Sequence, residues 1–260
     1  MNVMLFTQDE PIYMPRYLAP VVDAHADRIT GVVLAPLDRS FGRKVRDRYA
    51  MFGPRAFVRF SLMYGVNKLL AAAPGAVSDR LTDRAHSVRT LAREHDIPVR
   101  EVDDINDESF LASVRNADPD LILSVACGQR MEEDLLAVPS EGCVNVHGSL
   151  LPKYRGLATA FWVLYHGETE SGVTAHYMTP EFDAGDILVQ RRYDIEPDDT
   201  MHDVYLKLAE MGAEVAVDVV DQVAAGEVDP KPNPVEEGEY YSRPTSEHRQ
   251  QFLDRGNRFI

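Results

Sequence analysis

At 260 residues the chain has room for one large domain, or one domain with a small appendage. Its hydrophobic fraction of 45% is ordinary, and no apolar run approaches the roughly 18 residues of a membrane-spanning helix. A formal net charge of −15 at pH 7 repels polyanions at ordinary salt, and Cys127 and Cys143, the only cysteines, lack metal-ligand spacing, which argues against zinc.

The chain opens directly on strand-like Val3-Met4-Leu5-Phe6, so no secretory leader is expected and the reading is cytoplasmic, with both cysteines reduced. The basic residues are nearly all arginine, the lysines being only Lys44, Lys68, Lys153, Lys207 and Lys231. Such an acidic surface suits a halophilic source, where screening is strong, or simply an acidic soluble enzyme.

Strand-like apolar runs fall at 2–7, 30–36, 120–127, 142–147 and 172–178. Helical patterns fall near 14–26, 82–95, 107–116, 131–138, 157–166 and 200–225. Apolar strands flanked by helices predict an α/β fold, a mostly parallel sheet with helices on both faces. Ligands then sit beyond the carboxyl ends of the strands. Residues 40–80 break the pattern, because Arg43, Lys44, Arg46, Arg48, Arg55, Arg59 and Lys68 interleave there with Tyr49, Phe52, Phe57, Phe60 and Tyr64. Pro74-Gly75 closes this basic, aromatic island. It reads as a pair of amphipathic helices covering the sheet, as an acceptor-site wall for an anionic substrate, or as a membrane-surface or homodimer contact. From Gly226 onward Pro230, Pro232 and Pro234 predict an extended tail, with a short helix near 246–255.

The richest stretch is Cys143-Val-Asn145-Val-His147-Gly-Ser149-Leu-Leu-Pro152-Lys-Tyr-Arg155-Gly156. In an extended segment Asn145, His147 and Ser149 point the same way. An amide donor and an imidazole at a strand end can stabilise a developing oxyanion and move a proton. A second strand over 172–178 leads into Thr179-Pro-Glu-Phe-Asp183-Ala-Gly185-Asp186. Pairing of that strand with 186–193 would bring the Asp183 carboxylate back over the same edge.

The two motifs, Asn145-x-His147-x-Ser149-Leu-Leu-Pro-x-Tyr-Arg-Gly156 and Phe182-Asp183-x-Gly185-Asp-Ile-Leu, resemble the folate-dependent formyltransferases. That family includes the methionyl-tRNA, glycinamide ribonucleotide and amino-sugar enzymes. The resemblance implies a Rossmann-like formyltransferase fold over 1–225, with the basic helical insertion at 40–80 and a C-terminal extension at 226–260. It implies 10-formyltetrahydrofolate as donor cosubstrate, no metal, and catalytic roles for Asn145, His147 and Asp183. The pterin would be held largely by backbone groups of Gly128, Gln129, Arg130 and Met131 and of Thr179, Pro180, Glu181 and Phe182. Leu135 would line the pterin slot or serve the core, Ser149 and Arg155 would shape the acceptor side, and His176 reads as structural.

The same resemblance narrows the acceptor. The loop after the first strand, Phe6-Thr-Gln-Asp-Glu-Pro-Ile-Tyr13, carries two acids and no glycine. It is a poor phosphate cradle of the kind a glycinamide ribonucleotide enzyme needs. The tail is too short for the tRNA-binding barrel of a methionyl-tRNA formyltransferase, and the acidity also counts against tRNA. A small-molecule amine remains, first among them a nucleotide-linked amino sugar. The alternatives are a methionyl-tRNA formyltransferase-like enzyme lacking the barrel, a formyltetrahydrofolate hydrolase, and, least in accord with an intact trio, a non-catalytic folate-binding protein.

Overall fold

A computed structural model describes residues 1–35, 41–73 and 85–260. In chain order they form β1 (Val3–Thr7), α1 (Met14–His25), β2 (Ile29–Leu34), α2 (Phe41–Ala72), α3 (Val88–Glu94), β3 (Val99–Glu101), α4 (Glu108–Ala117), β4 (Leu121–Ser124) and α5 (Glu133–Leu136). Next come β5 (Cys143–His147), β6 (Arg155–Gly156), α6 (Thr159–His166), β7 (Glu170–Tyr177), β8 (Ile187–Asp194), α7 (Met201–Ala225), β9 (Tyr240–Tyr241) and α8 (Ser246–Asp254). Pro74-Gly75 and the start of the helix expected from 82 lie outside the described residues.

One sheet has the order β3-β2-β1-β4-β5-β7-β8. The first five strands run parallel, β7 pairs antiparallel with β5, and β8 antiparallel with β7. Apart from the edge strand β3, the parallel strands are buried on both faces. One face packs Leu18, Val21 and Val22 of α1, Leu91 of α3, and Val215, Val219 and Val220 of α7 against Leu5, Leu34 and Leu123. The other packs Phe110, Leu111 and Val114 of α4 against Phe6, Val33 and Ile122. The expected α/β architecture with helices on both faces is therefore present.

Long, amphipathic α7 starts on a capping box, in which the Thr200 side chain takes the Asp203 N–H and Asp203 returns the bond. α2 is two helices joined at Gly53, whose φ of 69° and ψ of 173° break the helical path before Pro54. These helices do not cover the sheet. Phe52 and Phe60 join a third cluster with Phe161 and Trp162 of α6 and Phe252 and Phe259 of the C-terminal extension. Phe161 and Phe252 stack with ring centroids 4.7 Å apart. The proline-rich tail is extended as expected but tied down, since Lys231 forms an antiparallel bridge to Ile187 and β9 pairs parallel with β6.

Candidate active site

The site is built where β5 ends and its antiparallel neighbour β7 passes it. The register sets Asn145 opposite His176 and His147 opposite Thr174, so these four side chains share one face of the sheet. A bulge between Ala175 and His176 shifts the β7–β8 pairing at that point, a common way to re-aim a side chain beside a site.

Asn145 is fixed at both ends of its amide. Oδ1 accepts the Ser124 hydroxyl at 3.1 Å, and Nδ2 lies 3.3 Å from His176 Nε2. His176 Nδ1 donates to the Tyr177 carbonyl at 2.8 Å, and its Nε2 stands between the Asn145 amide and Asp183 Oδ1. One amide hydrogen of Asn145 then remains for a ligand.

His147 Nε2 lies 2.9 Å from the Tyr154 carbonyl and Nδ1 lies 3.5 Å from Asp183 Oδ1. When protonated, the ring has an acceptor at each nitrogen. Asp183 Oδ1 is also 3.6 Å from His176 Nε2, while Oδ2 accepts the Gly156 N–H at 2.7 Å. Burial would raise the Asp183 carboxyl, but His147 first, then His176 and the Gly156 amide, outweigh it and hold the group well below the usual carboxylate range. The turn that carries it is tight. Asp183 has φ of 51°, and a Cβ on Gly185 would stand 2.0 Å from the Tyr177 carbonyl oxygen.

The two loops expected to face the donor adjoin each other. The Arg130 guanidinium donates to the Pro180 carbonyl at 2.5 Å and lies 5.4 Å over the Phe182 ring. Gly128 N–H is bound to the Ala35 carbonyl at 3.0 Å. The Gln129 amide bridges Ile105 N–H and the Asp103 carbonyl, and the Arg130 carbonyl takes an Asn106 amide hydrogen. Thr179 donates to the Glu181 carbonyl, Glu181 pairs with Arg155 at 3.0 Å, and Phe182 is half exposed. Met131 and Leu135 are fully buried side chains of the α4-side core. Ser149 is buried too, its hydroxyl spent on the Lys153 and Tyr154 carbonyls. Among the described residues no group of His, Cys, Asp or Glu gathers as a metal ion would require.

Residues 69–220, more than half the chain and inclusive of Asn145, His147 and Asp183, match the formyl transferase family model. The chain belongs to the formyl transferase family. Among its relatives, the methionyl-tRNA formyltransferase of Geobacter sulfurreducens is 41% identical over 141 residues, which are 54% of this chain and 44% of that enzyme. The chain thus spans about half the length of the curated relatives it matches. Two solved formyltransferases share its fold. The N-formyltransferase from Helicobacter canadensis, in complex with folinic acid and dTDP-3-aminofucose, superposes with a TM-score of 0.60 at 17% identity, covering 96% of this chain and 79% of its own. The phosphoribosylglycinamide formyltransferase from Anaplasma phagocytophilum gives 0.62 at 16% identity, covering 93% and 99%.

Several parts of this formyl transferase site carry no sequence signal of their own. Ser124, the Tyr154 carbonyl, the Gly156 amide and Asn233 are generic residues or backbone groups. They are placed by the β4–β5 and β6–β9 pairings and by the bridge from Lys231 to Ile187. His176 reads as structural in the sequence, and its contact with Asn145 comes from the β5–β7 register.

Proposed function

We propose that this chain transfers the formyl group of 10-formyltetrahydrofolate to the amine of a small-molecule acceptor, a nucleotide-linked amino sugar being the first choice. The observation that carries the reaction is the convergence of Asn145, His147 and Asp183 within one cluster of hydrogen bonds and close charge contacts at the carboxyl edge of the sheet. The donor fits the residues present. The loops 128–131 and 179–182 are joined by the Arg130 bond to the Pro180 carbonyl, and Phe182 offers a half-exposed ring for the pterin.

The donor supplies an electrophilic formyl carbon, and the chain's residues do the rest. Asn145 directs its remaining amide hydrogen at the formyl oxygen as charge gathers there, an interaction worth about 3–4 kcal/mol in comparable oxyanion sites. His147, protonated and bracketed by the Tyr154 carbonyl and Asp183, adds a positive charge beside that oxygen. Asp183 holds the imidazole and orients the water that takes the amine proton to the departing folate nitrogen.

Two observations bear on the acceptor. Glu10 turns its carboxylate onto the N–H groups of Ile12 and Tyr13 at the start of α1. A phosphate at that helix end would meet a carboxylate instead of free donors. The surface charge of −15 also opposes a polyanionic acceptor. A methionyl-tRNA acceptor is the second reading, favoured by the 41% identity to the Geobacter enzyme. The test is a panel of nucleotide amino sugars, glycinamide ribonucleotide and methionyl-tRNA with the formyl donor, following release of tetrahydrofolate. Turnover with an amino sugar alone supports the first choice, and turnover with tRNA alone replaces it. Release without any amine marks a hydrolase.

A further inference from the structure

The C-terminal extension reaches the site. Asn233 is buried, and its Nδ2 donates to the Asp183 carbonyl at 3.0 Å and to the Gly185 carbonyl at 3.2 Å. Turning the amide over would set Oδ1 against two carbonyl oxygens, so the orientation is dictated by its partners. Oδ1 is thereby left buried without a hydrogen-bond partner among the described residues. A buried acceptor without a partner is a cost that folded proteins seldom carry without a reason. Here the reason on view is that both amide hydrogens are needed on the turn.

The segment bearing Asn233 is anchored on either side. Lys231 exchanges backbone hydrogen bonds with Ile187, each 2.8 Å, at the start of β8. Beyond Asn233, β9 pairs with β6, and Arg155 N–H and Leu157 N–H bond to the Glu239 and Tyr241 carbonyls. β6 contains Gly156, whose N–H holds Asp183 Oδ2. One strap therefore grips Asp183 twice: directly at its carbonyl through Asn233, and indirectly at its carboxylate through β9 and β6.

We propose that Asn233 is a positioning residue for formyl transfer, holding the Asp183 turn so that the carboxylate stays on His147. The inference rests on the proposed role of Asp183. A turn with a non-glycine residue at φ of 51° has little intrinsic preference for its shape. With Asn233 gone, the turn relaxes and the carboxylate leaves the imidazole. Asn233 bonds to the turn at 183 and 185, beyond the 179–182 stretch proposed for the donor, so turnover suffers more than binding.

The test uses the full chain and steady-state kinetics with the best amine from the panel. Asn233→Ala should lower kcat by about 10–100-fold, the scale expected for a displacement near 1 Å, with both KM values within about threefold. Asn233→Asp, of the same shape but without donors, should lose as much. Asn233→Ser, with one shorter donor, should fall between wild type and alanine, and it serves if the alanine variant does not fold. In an Asp183→Asn background, followed by single turnover, Asn233→Ala should cost less than about threefold more, because the two act as a unit. Unchanged kcat in Asn233→Ala, a loss confined to KM, or full additivity with Asp183→Asn would overturn the inference. If Asp183→Asn alone keeps wild-type turnover, the proposed function has failed instead.

Discussion

His147 is buried and bracketed between a carbonyl and a carboxylate, so its ring has one orientation and one task. Replacing it with alanine removes the imidazole and leaves Asp183 beside His176 and on the Gly156 N–H. The expected outcome is a loss of about 100- to 10,000-fold in turnover, the range of a positioned acid–base group, with donor binding by fluorescence titration unchanged. Wild-type turnover in that variant would remove His147 from the chemistry. Asp183 makes a second, pH-dependent statement. Its carboxyl is held below its ordinary value, so the stability it contributes is complete above the unfolded-state value near 3.9 and is lost as pH falls through the folded-state value. Asp183→Asn should therefore lower the urea midpoint by a constant amount from about pH 5 to 8, and the gap to wild type should narrow below about pH 4. A gap that widens with acid would show that the carboxylate is not stabilised in the native state. The cysteines predict a simpler result. Burial pushes the Cys143 thiol up to about 12 and Cys127 up to about 11. Neither should react with iodoacetamide at pH 8 in the folded protein, and both should react in urea.

At the scale of elements, the turn between β7 and β8 leaves little room for change. Gly185→Ala places a methyl group 2.0 Å from the Tyr177 carbonyl oxygen, a backbone atom that can yield only if the Asp183 turn or the end of β7 shifts. Kinetics and melting of that variant should show a kcat loss larger than any change in KM, together with a fall in melting temperature. Phe252, fully buried and stacked on Phe161, tests whether α8 belongs to the catalytic body. Its replacement by alanine should cost about 3–5 kcal/mol in denaturant unfolding, through a single transition if the extension and the sheet unfold together. The core strands and the long helices were legible in sequence because each buries a continuous apolar run or an apolar stripe with its own caps. β3 was not, since Val99-Arg-Glu101 is a short edge strand whose side chains are mostly in solvent. β6 and β9, with two residues each, carry no periodicity at all. Asn145, His147 and Asp183 stood out as chemistry-bearing types at strand ends, whereas Asn233 sits between two prolines and looks like any turn residue. Its partners are the Asp183 and Gly185 carbonyls, about fifty positions away in the chain, and no local pattern encodes such a pairing.

At the scale of the molecule, charge is divided unevenly. Residues 41–72 hold seven cations and one acid, so the rest of the chain carries a formal −21 against the total of −15. Part of the basic set is already engaged within the fold. Arg48 lies over the rings of Phe60 and Tyr64, Arg59 donates to the Ile260 carbonyl, and Lys68 pairs with Asp9. The acid excess elsewhere repels itself. Surface pairs such as Arg191 with Glu214 and Lys68 with Asp9 contribute only about 0–1 kcal/mol each and weaken with salt. A net repulsion spread over the whole surface, by contrast, is relieved as the screening length falls from about 10 Å at 0.1 M to about 3 Å at 1 M. The larger effect should win, so melting temperature should rise between 0.1 and 1 M potassium chloride, by about 2–4 °C for each kcal/mol of repulsion removed. The same titration separates the two acceptors. Turnover of a small amine should hold or improve as the enzyme stabilises, whereas recognition of a polyanion through the basic helices should fall steeply with salt. A melting temperature that drops with salt would mean that the individual ion pairs, and not the acid excess, govern this surface.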